Sequence, residues 1–329
     1  MSAGSHKGGQ NRYPGSRLLA LRRTLLYFAL LFALMPLQAM AVAFNWPLKR
    51  RLPQRFHQQG CRILGIRVER RGRMSRAAPT LFASNHTSYW DIVVLGSLIP
   101  ASFVAKSEVA RWPFFGLLAK LQRSVFVDRR ANRAGKQRDE MVRRLEHGDS
   151  LILFPEGTSD DGNRVLPFKS ALFAVAELRP HGKPLVVQPV SISYTRLDGM
   201  PIGRYLRPYY AWYGDMELLG HLWQALGLGH LTVVVEFHPP VTLESFPSRK
   251  ALASHCQEAV ADGVAAALTG RPIDRKKSGA QAAAAPEQPA AEAGSASPRA
   301  QRAGGREDAL DRSGGGAGAL PGLAPPAKA

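Results

Sequence analysis

Short apolar runs alternate with stretches of helical periodicity along most of this chain. The apolar runs predict strands at residues 62–68, 80–84, 102–105, 125–127, 151–154, 185–193 and 231–237. The spacing of apolar residues predicts helices at residues 89–98, 113–122, 132–147, 168–179, 216–227 and 248–268. Strands that alternate with helices are typical of an α/β fold, because each crossover helix covers one face of a parallel sheet. The pattern therefore predicts a largely parallel sheet flanked by helices.

A longer apolar segment, residues 24–44, precedes the predicted strands and contains no charged residue. Its length suits one crossing of a bilayer by a helix. Pro36 and Gln38 interrupt it near the middle and basic residues flank both ends, which favours a kinked helix pair that enters one leaflet and returns. We expect such an inner-leaflet anchor, with a single full span as the alternative. Residues 39–41, Ala-Met-Ala, also resemble a signal-peptidase site, and cleavage there would release an exported protein.

The positive charge of the chain is concentrated near its amino terminus. The net charge is +19, and Glu69 is the only acidic residue among residues 1–80. Basic residues on both sides of an apolar segment match the anionic surface of a membrane. A nucleic-acid partner is not expected, because the basic segment has no zinc-ligand spacing, no RNA-binding sheet motif and no helix-turn-helix pattern. An anionic lipid surface is therefore the predicted partner of this segment.

Composition divides the chain into three parts. Residues 1–60 form the basic, membrane-anchoring segment, and residues 61–274 have the apolar content of a catalytic α/β domain. Residues 275–329 are rich in Ala, Gly and Pro and have too few large apolar residues to fold, so we predict a disordered tail. Cys61 and Cys256 lie far apart and belong to no CxxC pattern. We therefore expect neither a disulfide scaffold nor a metal site, and no bound cofactor.

The first candidate for chemistry is the pair of His86 and Asp91, which lies between a predicted strand and a predicted helix. An imidazole held by a carboxylate can take a proton from a hydroxyl near neutral pH. The alternative is a capping box, in which Ser88 and Asp91 satisfy free backbone donors of the first helical turn. That interpretation accounts for Asp91 without catalysis, and the two are compatible, since a capped helix start holds a carboxylate rigidly.

Three other predicted strands also end in polar residues. Lys106 follows the strand at 102–105, Arg129 follows the strand at 125–127, and Glu156, Gly157 and Thr158 follow the strand at 151–154. Taken singly, each is explained by an exposed charge or an ordinary turn. Because the carboxyl ends of parallel strands meet at one edge of a sheet, we expect these residues to lie near His86.

Four blocks of the sequence, which include all of these residues except Lys106, resemble the lysophospholipid acyltransferase family. The blocks are the HxxxxD motif at residues 85–91, the segments at residues 125–129 and 154–158, the latter reading FPEGT, and a proline-centred strand at residues 186–190. All four occur in the order found in the family. The resemblance implies a membrane-associated O-acyltransferase whose co-substrate is an acyl thioester of acyl-carrier protein or coenzyme A.

The resemblance also implies roles for the residues at the four strand ends. His86 would act as the general base on a lysolipid hydroxyl, and Asp91 would orient its imidazole. The polar head of the acceptor would be bound by Arg129, Glu156, Gly157 and Thr158. Lys106 stands at a position suited to adding a second cation to this head-group site.

Two departures from the family pattern bear on the acceptor. Arg123 stands where the second block usually has a glycine, and Ser159, Asp160 and Asp161 stand where the third block usually continues with arginine and serine. Acidic residues beside a head-group site weaken its attraction for a phosphate monoester, and Arg123 or Arg164 is a candidate to compensate.

The family therefore implies two acceptors for this chain. The first expectation is 1-acyl-sn-glycerol-3-phosphate, the commonest acceptor in the family, which would give phosphatidic acid. The alternative is a lyso-ornithine lipid, because residues 159–169 resemble the branch of the family that acylates it.

Two function classes outside the acyltransferases remain open at this point. Cleavage of the apolar segment would make His86 and Asp91 part of an exported hydrolase, although no GxSxG nucleophile motif accompanies them. The basic amino terminus would otherwise belong to a membrane- or nucleic-acid-binding module. Our main expectation is an enzyme at the inner, cytoplasmic membrane whose active site faces the cytosol.

Overall fold

The computed structural model describes residues 15–127 and 134–271. Arg129 and the predicted tail at 275–329 lie outside the described residues. The α-helices are α1 (Arg17–Ala43), α2 (Leu48–Leu64), α3 (Trp90–Leu98), α4 (Phe115–Leu121), α5 (Ala134–Glu146), α6 (Leu218–Leu226) and α7 (Arg249–Thr269). The strands are β1 (Ile66–Gly72), β2 (Thr80–Ser84), β3 (Ser102–Lys106), β4 (Val125–Val127), β5 (Leu151–Leu153), β6 (Val186–Leu197), β7 (Met200–Pro201), β8 (Leu231–Phe237) and β9 (Val241–Thr242).

The strands form one sheet in the order β1-β8-β6-β2-β5-β3-β4. Strands β6, β2, β5, β3 and β4 are parallel, as predicted. The sheet is nevertheless mixed, because β8 runs antiparallel to β6. Strand β1 pairs with β8 in parallel orientation. The short strands β7 and β9 also pair antiparallel with β6. The predicted α/β fold is confirmed, and its parallel part contains the strand ends at which chemistry was expected.

Strand β2 shows why the centre of the sheet is apolar on both faces. All five of its residues are buried. Phe82 packs in the cluster that includes residues of α2 and α3, whereas Leu81 and Ala83 pack in the cluster on the opposite face, with residues of α5 and α7. A parallel strand covered by helices on both sides requires such a continuous apolar run.

Two predicted elements differ from those observed. The strand expected at 62–68 begins only at Ile66, because Cys61 and Leu64 are buried on the inner face of α2 and Gly65, with φ of 73°, ends that helix. The helix expected at 168–179 is instead a 3-10 helix at Ser170–Glu177.

The apolar segment at 24–44 lies within α1, which begins earlier and runs through Pro36 as one helix. Helix α1 is long and apolar enough to cross a membrane. Its partner is α2, an element that the sequence analysis missed. The two helices are antiparallel, since Gln38 Nε2 donates to the Lys49 carbonyl at 3.2 Å and the rings of Tyr27 and Phe56 lie 5.3 Å apart. The helix pair is therefore formed by α1 and α2, and not by two halves of the apolar segment.

Candidate active site

His86 and Asp91 lie in direct contact at the carboxyl end of β2. The distance between His86 Nδ1 and Asp91 Oδ2 is 2.8 Å. The imidazole stacks on the ring of Phe154, with centroids 4.1 Å apart and planes 18° from parallel. The His86 side chain is 22% exposed, whereas Asp91 is fully buried. One imidazole edge is therefore fixed by the carboxylate, while part of the ring remains accessible.

Asp91 lies in the first turn of α3 and accepts four hydrogen bonds. Besides His86, the backbone N–H groups of Thr87 and Ser88 donate to Oδ2 at 2.7 and 2.9 Å, and the Tyr194 hydroxyl donates to Oδ1 at 2.6 Å. A carboxylate with this many donors has its orientation fixed from several directions.

The predicted capping box is only half formed. Asp91 accepts from the backbone N–H of Ser88, but the buried Ser88 hydroxyl has no hydrogen-bond partner among the described residues. The Asp91 N–H donates instead to the Ser88 carbonyl at 3.1 Å. The capping interpretation therefore does not account for the serine. It also leaves the contact between Asp91 and His86 unexplained.

Glu156 contacts the backbone of His86 and lies in the turn that follows β5. It is buried, and its Oε2 accepts from the His86 N–H at 3.2 Å, while Oε1 accepts from the Leu166 N–H at 3.1 Å. Burial, with smaller contributions from Asp91 and Asp160, raises the pKa of Glu156 to about 8, although its two backbone hydrogen bonds act in the opposite direction. The head-group role of Glu156 stays a prediction. Because both carboxyl oxygens bind backbone, the side chain links the His86 loop to the following loop.

The turn after Glu156 brings Gly157 and Thr158 to the surface of the site. Gly157 has a φ of 69°, and a Cβ atom there would lie 2.8 Å from Lys169 Nζ. The turn thus requires glycine and places an ammonium group against its backbone. Thr158 is exposed. Lys169 was not among the predicted site residues, because its position in the sequence, after the loop, gave no indication of this contact.

The loop at residues 159–164 packs directly on the HxxxxD motif. The Asp160 N–H donates to the His86 carbonyl at 3.1 Å, and a Cβ atom on Gly162, whose φ is 75°, would lie 2.8 Å from Thr87 Cγ2. Arg164 pairs with Asp160 at 3.1 Å but is 74% exposed. The acidic departure from the family pattern is therefore located next to the backbone of His86 and the side chain of Thr87.

Asp161 remains negatively charged in this loop. Burial alone would raise its pKa, but hydrogen bonds from Asn163 and the nearby cations Arg164 and Arg207 lower the pKa below its usual value. The Asn163 N–H donates to Asp161 Oδ1 at 2.9 Å. The loop thus carries an ionised carboxylate at neutral pH.

The remaining predicted residues have different positions. Lys106 is exposed at the carboxyl end of β3, on the same edge of the sheet as His86. Arg129, expected at the end of β4, lies outside the described residues. Arg123 precedes β4, at the opposite edge of the sheet, and pairs with Asp149. It therefore does not compensate for the acidic loop.

Two residues to which the sequence analysis gave no role also hold the site together, one in the first block and one on the strand that contains the fourth. Asn85 is buried, and its side chain donates to the Ile192 carbonyl at 3.0 Å and accepts from the Ile192 N–H at 2.9 Å, which ties the HxxxxD loop to β6. Tyr194, on the same strand, reaches Asp91. Asn85 directly follows a buried strand and Tyr194 lies within one, and both are ordinary structural positions, so the sequence gave no signal for either contact.

Over the described ranges, no cluster of three His, Cys, Asp or Glu side chains has an arrangement that could hold a metal ion. The chemistry available at this edge of the sheet is thus that of an oriented imidazole, a buried carboxyl group, an acidic loop and two lysines. An imidazole held in this way is suited to proton transfer from a hydroxyl.

Comparison with known proteins identifies related sequences and a related fold. The family model described as "Acyltransferase" matches residues 65–193. The chain is 46% identical over 249 residues to the lyso-ornithine lipid O-acyltransferase of Brucella abortus (strain 2308), covering 74% of this chain and 93% of the relative. It is 45% identical over 221 residues to the lyso-ornithine lipid O-acyltransferase of Rhizobium meliloti (strain 1021), covering 66% and 76%.

A solved structure has the same fold. The crystal structure of the 1-acyl-sn-glycerophosphate (LPA) acyltransferase from Thermotoga maritima matches with a TM-score of 0.54 and 21% sequence identity, covering 75% of this chain and 94% of that one. At this level of identity, the match supports the architecture of the mixed sheet and its flanking helices.

Proposed function

This chain belongs to the acyltransferase family and transfers acyl groups to lysolipids, and from that premise we propose that its acceptor is a lyso-ornithine lipid. The observation that carries the proposal is the acidic loop beside His86. The two relatives described above, which are 45–46% identical, are named for this acceptor. The order of preference thus differs from the one drawn from the family pattern, in which 1-acyl-sn-glycerol-3-phosphate came first.

The proposed reaction uses the imidazole as a general base. His86 Nδ1 is held by Asp91, so Nε2 takes the proton from the acceptor hydroxyl as its oxygen attacks the carbonyl of the acyl thioester. The thiolate then leaves and receives the proton from the imidazolium, which gives the ester and a free thiol. The donor is an acyl thioester of acyl-carrier protein or coenzyme A.

The charges around the site match a zwitterionic head group. Ornithine linked through its α-amino group retains an ammonium and a carboxylate. Asp161, with Asp160 beside it, offers negative charge for the ammonium next to His86. Lys169, at the Gly157 turn, offers positive charge for the carboxylate. A phosphate monoester carries no ammonium group to pair with these carboxylates.

The test is acyl transfer from a labelled acyl thioester to lyso-ornithine lipid and to 1-acyl-sn-glycerol-3-phosphate, assayed side by side. We expect the wild-type enzyme to prefer lyso-ornithine lipid. The double substitution of Asp160→Asn and Asp161→Asn should lower kcat/KM for this acceptor roughly tenfold, the value of one partly exposed ion pair, and should not lower it for the phosphate acceptor.

Two further variants distinguish an effect on acceptor preference from an effect on the acyl-transfer step. Asp262→Asn removes an exposed carboxylate of α7 and should leave both activities unchanged. His86→Ala should abolish transfer to both acceptors. Preference for the phosphate acceptor in the wild type would overturn the lyso-ornithine proposal, and undiminished transfer by His86→Ala would overturn the mechanism.

We further propose that the enzyme lies on the cytoplasmic face of the inner membrane with α1 in one leaflet. Two buried polar residues of α1 are bound to the catalytic domain. Arg23 donates to the carbonyls of Leu226, Leu228 and Gly229 at 2.5–3.1 Å, and Gln38 donates to the Leu121 carbonyl at 2.7 Å. These anchor points are fifteen residues apart, or roughly 22 Å along the helix. A helix held to the domain at both points lies along the membrane surface rather than across it.

The opposite side of α1 supports this arrangement. Leu18, Leu25 and Phe32 are exposed there, and Trp112 and Phe114, near α4, extend the apolar surface. Phe28 contacts Phe114, with ring centroids 5.8 Å apart. Apolar and aromatic side chains on one surface are typical of helices that lie in the plane of a bilayer interface. Acyl thioesters are made in the cytosol, which is why we assign the active site to that side.

A further inference from the structure

A cavity lies at the opposite edge of the sheet from His86. Its volume is about 250 Å³. Its walls include residues 77–78, 100–102 and 148–150, which directly precede β2, β3 and β5. His86 and Glu156 instead follow β2 and β5. The two sites thus lie toward opposite ends of β2, a strand roughly 16 Å long.

Positive charge is in excess around this cavity. Its lining includes four cations, Lys49, Arg50, Arg76 and Arg123, and a single carboxylate, that of Asp149. Partial burial, together with the nearby Arg123 and Arg50, lowers the pKa of Lys49, as expected in a field of positive charge.

The single carboxylate is shared by three guanidinium groups. Arg50 pairs with Asp149 Oδ1 at 2.9 Å, Arg144 pairs with Oδ2 at 2.8 Å, and Arg123 also pairs with Oδ2. One negative charge cannot neutralise three positive ones, so the cluster retains a net positive charge that attracts an anion.

Arg123 occupies a backbone conformation that favours glycine. Its φ is 62°, in the left-handed region, where a side chain is disfavoured relative to glycine. An arginine is therefore present here despite a conformational cost, and its side chain is directed to the charged cluster.

His57 adds a buried polar group to the same cavity. It is 4% exposed, and its Nδ1 atom has no hydrogen-bond partner among the described residues. Burial lowers the pKa of His57 to about 4, so the imidazole is neutral at physiological pH. A buried ring nitrogen without a partner is costly unless a bound molecule supplies one.

Two of the cations that line the cavity lie close to the apolar surface of the N-terminal helices. Lys49 and Arg50 are in the first turn of α2, directly after the turn that contains Phe44 and Trp46. These two rings stack with centroids 5.7 Å apart and are 66% and 43% exposed. A charged head group can therefore enter the cavity while its acyl chains stay on the exposed rings.

We propose that this cavity binds a phosphate group, through Lys49, Arg50, Arg76, Arg123 and His57, at a site separate from the catalytic one. The group is supplied either by the head of an anionic phospholipid or by free phosphate. The proposal does not depend on which lysolipid is the acceptor, because none of these residues lies at the catalytic edge.

The test is calorimetric titration of the full chain in non-ionic detergent micelles, with inorganic phosphate and with phosphatidylglycerol. We expect binding by the wild type that is weakened at least tenfold by Arg123→Gly and by Arg50→Gln. Arg123→Gly should fold, since the new residue suits the left-handed conformation. Arg51→Gln is the matched control, because Arg51 is the exposed neighbour of Arg50 on the same helix and does not line the cavity.

The two ligands distinguish the sources. Phosphatidylglycerol binding at least tenfold tighter than phosphate identifies a lipid head group, whereas equal affinity identifies free phosphate. Lys169→Gln should leave this binding intact, since Lys169 lies at the catalytic edge. Failure of both ligands to bind would overturn the proposal, as would equal weakening by Arg51→Gln or loss of the signal in Lys169→Gln.

Discussion

Tyr194 links β6 to His86 and Asp91, the proposed catalytic pair, and we expect it to position Asp91. Its hydroxyl donates to Asp91 Oδ1 at 2.6 Å, and burial, together with the Asp91 charge, raises the pKa of Tyr194 well above its usual value, so it remains a donor. Tyr194→Phe should lower kcat roughly tenfold with little change in KM, as expected for the loss of one hydrogen bond to a charged group. Steady-state kinetics with the lysolipid acceptor measure both constants.

The pH profile distinguishes positioning from a merely structural role. Without the tyrosine donor, Asp91 presents more negative charge to His86, which favours the imidazolium, so the acidic limb of kcat/KM should move to higher pH. Tyr210→Phe is the control, because the Tyr210 ring stacks on Tyr194 at 6.3 Å. An unshifted acidic limb in Tyr194→Phe would show that the tyrosine acts only through packing.

Glu156 should make the stability of the enzyme depend on pH. Its pKa is raised from 4.5 to about 8 in the folded protein, chiefly by burial. Between these values the folded state holds a proton that the unfolded chain releases, so the free energy of unfolding should fall as pH rises, by at most about 1.4 kcal/mol per pH unit. Glu156→Gln cannot titrate and should lack this component. Denaturant unfolding of both proteins from pH 5 to pH 8 would contradict the assignment if their slopes were equal.

The sequence was informative about residues whose partners are close along the chain. The spacing of His86 and Asp91 on either side of a helix start was enough to predict their contact, because the loop between them is short. Tyr194 lies 103 residues from Asp91, and only the pairing of β6 with β2 brings them together. Glu156 was predicted to be near His86, but its binding of two backbone N–H groups depends on burial that no local pattern reveals.

At the scale of elements, the attachment of α1 depends on one buried arginine. Arg23→Met removes the donors to three carbonyl groups and should lower the free energy of unfolding by about 3 kcal/mol. Arg22→Met is the matched control, since Arg22 is the exposed neighbour on the same helix and its loss should change stability by less than about 0.5 kcal/mol. Denaturant unfolding in detergent micelles measures both. Equal destabilisation by the two variants would contradict the anchoring role of Arg23.

Strands were easier to predict than the helices near the membrane. The predicted bounds of 80–84, 125–127 and 231–237 match β2, β4 and β8, because buried strands in a sheet covered on both faces are short, continuous apolar runs. Helix α2 was missed because its basic residues and Pro53 obscure the helical spacing of its buried residues. The face that these residues form packs against α1 and α3. Helical periodicity near a membrane also reflects contacts with lipid, which a chain-only pattern does not separate from core packing.

At the scale of the whole molecule, the membrane side on which each end of α1 lies distinguishes a helix in one leaflet from a full span. Helix α1 carries apolar side chains outward along its length while its inner side is bound to the domain that contains His86. If α1 crossed the membrane, Arg17 at its start would be on the opposite side from Arg51 in α2. If α1 lies in one leaflet, both residues face the cytosol together.

Single cysteines at these two positions should therefore behave alike. Arg17→Cys and Arg51→Cys are exposed at opposite ends of α1, and the native Cys61 and Cys256 are buried and should react slowly. In sealed inside-out vesicles, a membrane-impermeant maleimide should label both new cysteines, and in right-side-out vesicles it should label neither. Labelling of Arg17→Cys only from the periplasmic side would establish a full span. That result would require the hydrogen bonds of Arg23 to the catalytic domain to break in the membrane.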